Sequence, residues 1–432
     1  MTTKSTPVAV VREQLKNPVT DNVCACLFEE DTHHIRFSNN DINRENLRKA
    51  LTTLNVKVGH QGRLGNFQTN DLSEPGLKQA FARAHENATL LPEDPEYMPA
   101  VTKDEASLAP LYKLEAKPGT NQDRYALLAR IFKELDRHGL TSAGSLVSST
   151  VRATTLNNLG VELAHEEHSV ALNVTAMSKS SSFKSTFLDK DLANFDEAAF
   201  LRSLVEKTKL SESPQSQEPG RYTVVLSPQA VGELMMFLMW YNFDRKAIDE
   251  KRTAMFPRLG KTIADERIHI HVDPRHPACP AFPFSPTDGR PAGKFDMIRH
   301  GKFVDGWYTR FYEKKMNLTE KGRWPSNIVF EGTNLSEDEL VKNVKDGLFV
   351  NGFWYIRLVD LMDGIFTGMT RDGLFRIQNG KLTGSVTNFR FNQNVFEMLM
   401  NTVSIGKAFR TDYGVFPFLT VKDFNFISRT EF

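Results

Sequence analysis

The sequence predicts an α+β protein of two domains: a mixed α/β N-terminal domain (residues 1–210) and a β-rich C-terminal domain (residues 221–432) built on a large antiparallel, barrel-like sheet. Three observations predict it. Residues 211–220, SESPQSQEPG, hold two Pro, three Ser and no apolar residue, and so read as a linker. Helical and strand periodicities mix before that stretch, whereas alternating apolar–polar runs dominate after it. Finally, 22 of the 31 Phe follow residue 220, which gives the second half a core of different character.

The elements follow in order. Leu47, Ala50, Leu51 and Leu54 recur at helical spacing and predict a helix. Residues 56–69 are Gly-punctuated and β-like. Ser73 then caps a helix with Pro75 in its first turn and Leu77, Ala80, Phe81 and Ala84 on one face. Leu127, Leu128, Ile131, Phe132 and Leu135 mark a third helix over 123–138, ended by Gly139. Residues 143–177 read as successive strands with a turn at Asn157-Asn158-Leu159-Gly160, and Phe200, Leu201, Leu204 and Val205 mark a fourth helix.

Beyond the linker, residues 221–227 (RYTVVLS) form a strand. A helix over 229–241 is apolar on nearly every face and therefore buried. His300-Gly301, Arg371-Asp372-Gly373 and Asn379-Gly380 predict hairpin turns. Ser336 with Glu339 forms a capping box, and another helix runs over 394–403. Phe alternates with polar residues at 388–391 and 424–426, as half-buried strands require.

Composition narrows the function classes. With 54 Lys+Arg against 53 Asp+Glu, the net charge of +1 gives no reason to choose nucleic acid as a partner. Three cysteines exclude a disulfide scaffold and a four-cysteine metal site. The N-terminus lacks an apolar signal region, and the longest apolar run, 234–241, is far short of the roughly 20 residues that span a bilayer. The expectation is a cytoplasmic protein with no membrane partner.

Candidate chemistry is sparse. No phosphate-binding glycine loop, dinucleotide fingerprint or nucleophile elbow occurs. His165-Glu166-Glu167-His168 places its histidines three apart in a β-like run, on opposite faces, and so is not a zincin motif. His269 and His271 share one face of a strand, with Asp273 or His276 as a third ligand for a metal. The competing reading is that these two histidines line the solvent side of a strand whose other face is Ile268, Ile270 and Val272.

The order of segments resembles the TldD/PmbA family, also called modulator of DNA gyrase. The resemblance runs through residues 56–88, the turn at 157–160, the strand Gly220-Arg221-Tyr222-Thr223-Val224-Val225-Leu226-Ser227-Pro228, Leu259-Gly260, Asp273-Pro274, Asp288-Gly289-Arg290-Pro291, Gly364-Ile365-Phe366-Thr367-Gly368 and Ile377-Gln378-Asn379-Gly380. The Glu of the family's "D-x-E-G-x-P" is missing. The resemblance implies one of two kinds of member. TldD-type chains are zinc peptidases with HExxxH on the helix after the Val-Val-Leu strand and a downstream Cys as third ligand. TldE (PmbA)-type chains lack these and pair with a TldD-type subunit. Here Met236 and Tyr241 stand at the two His positions and Phe237 at the Glu position, and no Cys follows Cys279. The resemblance therefore implies a TldE-type pseudoenzyme. It would carry no cofactor of its own, zinc would sit in a TldD-type partner, and an extended peptide would be the substrate of the pair. Two alternatives stand beside it: a diverged metal-dependent hydrolase using His269, His271 and Asp273 or His276, and a regulatory homodimer.

Overall fold

A computed structural model describes residues 6–20, 22–318 and 322–430. Helix α1 (Pro7–Lys16) leads into an antiparallel sheet formed by β1 (Asn22–Ser38), β2 (Asp41–His60), β3 (Arg63–Thr69), β4 (Thr141–Asn157), β5 (Glu162–Met177) and β6 (Ser182–Asp189). The six strands lie in the order β3-β2-β1-β4-β5-β6. Four helices complete this half: α2 (Glu74–Leu90), α3 (Lys103–Ala106), α4 (Asn121–Arg137) and α5 (Glu197–Leu210). Helix α2 packs directly on β3, where Gly65 lets the backbones meet. A Cβ there would stand 2.1 Å from the Ala84 carbonyl oxygen.

The helix expected from Leu47, Ala50, Leu51 and Leu54 is absent; the segment belongs to β2. Leu54, Val56 and Val58 are fully buried at every second position, and continuous pairing with β1 overrides the local helical spacing. The side chain of Leu47 lies outside the described residues.

The second half begins with β7 (Gly220–Leu226), α6 (Pro228–Asn242) and α7 (Arg245–Asp249). It continues with β8 (Ile270–Val272), β9 (Phe295–Arg299), β10 (Lys302–Phe303), α8 (Arg310–Lys315), β11 (Val329–Phe330) and α9 (Glu337–Lys342). It ends with β12 (Asp346–Asp360), β13 (Ile365–Gln378), β14 (Lys381–Ser385), β15 (Phe389–Asn394), α10 (Val395–Met400), β16 (Thr402–Thr411) and β17 (Gly414–Arg429). These strands form one 11-stranded sheet. It is mixed rather than purely antiparallel, because β7 runs parallel to β12 and β11 parallel to β17. Pairing of β17 with both β15 and β7 closes β7, β12, β13, β15 and β17 into a ring, the barrel-like part of the sheet.

Alternation sorts the ring's side chains into two cores. Val224, Leu226, Leu348 and Val350 join α6 in the C-terminal core. Their neighbours Val225, Phe349, Phe375 and Ile377 point the other way and share a core with Leu172, Val174, Phe183 and Leu204 of the first half. Lys207 on α5 ties the same junction: its ammonium lies 2.6 Å from Glu337 and 4.5 Å from the Phe349 ring centroid. Residues 211–220 are anchored rather than loose, since Gln215 N–H donates to the Ser385 carbonyl at 2.9 Å. The Phe skew is explained as well: of the twelve largest fully buried side chains, all Phe, every one but Phe183 follows residue 220.

Arg371-Asp372-Gly373 does not reverse the chain. It lies inside β13, where Asp372 and Gly373 take positive φ values of 58° and 132° and the pairing with β12 slips near Val350/Gly352. The turn-forming residues make a bulge instead. His300-Gly301 and Asn379-Gly380 are genuine hairpin turns. Among the described residues no helix is long and apolar enough to cross a membrane.

Candidate functional site

Helix α6 starts at Ser227, whose hydroxyl accepts from Ala230 N–H at 3.1 Å, with Pro228 in the first turn. Ala230, Val231, Leu234, Met235, Leu238 and Met239 are fully buried, so the composition-based expectation holds for most of the helix. One face departs from it. Glu233, Met236, Phe237, Trp240 and Tyr241 follow the i, i+3, i+4 pattern, and exposure rises along them to 75% at Trp240 and 41% at Tyr241.

This face is aromatic. The Phe237 and Tyr241 rings stack with centroids 6.5 Å apart, and both reach the buried Phe366 ring, at 6.2 and 6.4 Å. Glu233 supplies its carboxylate. Its Oε2 accepts from Phe353 N–H at 2.6 Å and its Oε1 from the Gln229 amide at 3.1 Å. Burial pushes its pKa up to about 7, against the lowering effect of these donors and of Lys184. Opposite, β12 bulges at Trp354–Arg357. Tyr355 takes a left-handed φ of 56°, and successive residues Trp354 and Tyr355 both reach solvent, 52% and 61% exposed. They line a cavity of about 760 Å³ together with Ser180, Asp372, Asn388 and Arg390.

The residues at 236, 237 and 241 do not fit a zinc ion. A thioether, a phenyl ring and a phenol stacked on other rings offer neither imidazole nor thiolate, and Phe237 has no proton to accept or give. The three cysteines are all free and buried, and Cys279 packs with Val329 and Val415.

A second set of polar groups lies on the short strands β8, β9 and β11. His269 and His271 have ring centroids 5.2 Å apart. Neither simply lines a solvent face: His271 is only 3% exposed, although Ile268, Ile270 and Val272 are buried as expected. The carboxylate that meets the two histidines is Asp296, and one ligand atom from each of the three residues lies within 4.8 Å of the others. Asp273 instead binds Lys294 at 3.0 Å and accepts from Arg275 N–H. His276 stands apart from the group, its buried Nδ1 without a hydrogen bond. Sequence reasoning missed Asp296 because the whole loop 273–294 lies between its strand and that of His271. Its one local signal is a carboxylate inside the apolar run Phe295-Asp296-Met297-Ile298.

The histidines of 165–168 diverge on β5. His165 is buried against the rings of Tyr112 and Phe282, while His168 accepts or donates at the Thr150 hydroxyl, 2.9 Å away. Glu167, beside Arg410, is pushed up to about 7 by burial.

Comparison with known proteins places this architecture. A metalloprotease of Methanothermobacter thermautotrophicus is 24% identical over 206 residues, 45% of this chain and 45% of that one. A metalloprotease of Archaeoglobus fulgidus is 22% identical over 404 residues, 88% and 90% of the two chains. The fold matches TldE from Thermococcus kodakarensis with a TM-score of 0.85 at 16% identity, covering 97% of this chain and 100% of that one. It also matches a putative modulator of DNA gyrase from Thermotoga maritima, with a TM-score of 0.82 at 15% identity, covering 97% and 98%. Residues 219–428 match the model of the PmbA/TldA metallopeptidase C-terminal domain, so the second half of the chain carries a domain of the PmbA/TldD family.

Proposed function

We propose that this chain is a TldE-type, non-catalytic subunit that assembles with a TldD-type zinc peptidase and helps enclose an extended peptide substrate. The observation that carries the reading is the exposed face of α6. Where the family resemblance puts two imidazoles and a base stand Met236, Phe237 and Tyr241, and the last two form an aromatic contact with Phe366. Peptide cleavage by metal-activated water needs nitrogen or thiolate ligands and a general base at that place. Glu233 is the carboxylate on the face, and two hydrogen bonds already hold it. The apolar side chains that this face leaves in water, Trp240 above all, suit a protein partner better than solvent.

Co-expression with a TldD-type chain carrying HExxxH tests the reading. The pair is expected to co-elute and to degrade an unfolded protein such as reduced casein. Cleavage should vanish when the Glu of the partner's motif is replaced, and this chain alone should leave casein intact. Cleavage by the isolated chain at the rate of the pair would overturn the proposal.

A further inference from the structure

We propose that His269, His271 and Asp296, with Glu331 beside them, form a binding site for a divalent transition-metal ion of the zinc class. The site uses no residue of α6, and it goes beyond the reading as a partner subunit without depending on it.

Strand register builds the site. On β8, His271 pairs with Asp296 of β9, and the Glu331 N–H after β11 donates to the His269 carbonyl at 3.0 Å. Ile270 pairs with Ile298 and with Phe330, and these three side chains, all fully buried, take the opposite face. Between Ile270 and His271 the register slips, so that Met297 becomes an extra residue on β9. That bulge turns Asp296 onto the histidine face; uninterrupted pairing would have set Asp296 on the side of Ile298. Four potential ligands from three strands therefore gather on one side of the sheet.

The chemistry points to a metal. His271 is 3% exposed, yet its Nδ1 has no hydrogen-bond partner. A buried polar atom left unpaired costs stability unless something fills its lone pair or takes its proton. Glu331 faces both rings, 3.6 Å from His271 Nδ1 and 3.9 Å from His269 Nδ1. Two imidazoles with one or two carboxylates are the donors that zinc, cobalt and nickel prefer, and a harder ion such as magnesium does not.

Two contacts must give way. His269 Nε2 donates to Asp296 at 2.8 Å, and Arg299 also binds this carboxylate. The Arg299 side chain is 58% exposed and free to swing into water. Donor atoms now within 4.8 Å would close toward the roughly 3.4 Å separation of ligands around a tetrahedral zinc. The gain is structural: β8 has three residues and β11 two, so few ladder hydrogen bonds hold this edge, and an ion would tie β8, β9 and β11 together.

The full chain, stripped with chelator and dialysed, is titrated with Co²⁺ and then Zn²⁺. The expected result is one equivalent of Co²⁺ bound with the visible bands of a tetrahedral N/O site, its displacement by Zn²⁺, and a higher melting temperature. Exposed Glu331→Gln and half-buried His269→Gln should each weaken binding on the order of tenfold to a hundredfold with the apo fold intact by circular dichroism. His271→Ala and Asp296→Asn should abolish the bands. Absence of saturable Co²⁺ binding, or binding unchanged in His269→Gln and Asp296→Asn, would overturn the proposal.

Discussion

Glu233 gives the sharpest test of how the α6 face is built. Its carboxyl has a folded pKa of about 7 against an ordinary 4.5, so folding favours its protonated form. The sign follows from linkage. Below pH 4.5 the group is protonated folded or unfolded and has no effect. Between 4.5 and about 7 the unfolded chain releases the proton more readily, and stability falls as pH rises. Above 7 the loss is complete. The difference of about 2.5 units, at 1.36 kcal/mol per unit, sets an upper bound of roughly 3 kcal/mol. Glu233→Gln removes the ionisation and keeps the packing. The Gln carbonyl still accepts from Phe353 N–H, and Gln229 turns its amide to accept from the new NH₂. Urea unfolding from pH 5 to 8.5 is the assay. The variant should match the parent near pH 5 and exceed it by about 1–3 kcal/mol at pH 8, with a flatter pH profile. Equal slopes for parent and variant would refute the burial of this carboxyl as the source of its shift.

Four further outcomes are expected. Phe366→Ala, beneath the Phe237–Tyr241 pair, should cost about 3–5 kcal/mol of unfolding free energy by chemical denaturation. Trp240→Ser should leave the melting temperature within about a degree or two, since its ring is 75% exposed, yet weaken co-elution with a TldD-type subunit. Lys207→Ala strips Glu337 of its partner and should destabilise by about 2–3 kcal/mol, whereas Lys207→Met with Glu337→Gln should recover most of that loss in the same denaturation assay. Gly65→Ala should destabilise by about 1–3 kcal/mol or more, because its Cβ would meet α2 backbone atoms at 2.1 and 2.3 Å.

Elements whose signals are local were legible from sequence. Ser73 and Ser336 cap helices as expected, because a capping hydroxyl needs nothing beyond its own first turn. Signals that depend on distant pairing were not. Leu47 to Leu54 follow helical spacing, yet β1 captures the segment along its whole length. Asp372-Gly373 has turn chemistry but sits where two long strands need a bulge. In the candidate site, Met236, Phe237 and Tyr241 were found from the order of family segments, and the helix does place them on one face. Asp296 escaped because its meeting with His271 is a matter of register between two short strands, which one-dimensional spacing does not encode.

The shared core between the two halves has a consequence for how this protein can be divided. Residues 219–428 are what the family's C-terminal domain model matches, but they are not what coheres. Cut there, the segment would bare Val225, Phe349, Phe375 and Ile377 along one flank of its ring, a sticky seam once covered by Phe183 and Leu204. Inheritance and cohesion thus run along different lines. The portion that the family model recognises depends on the other half to stay dry.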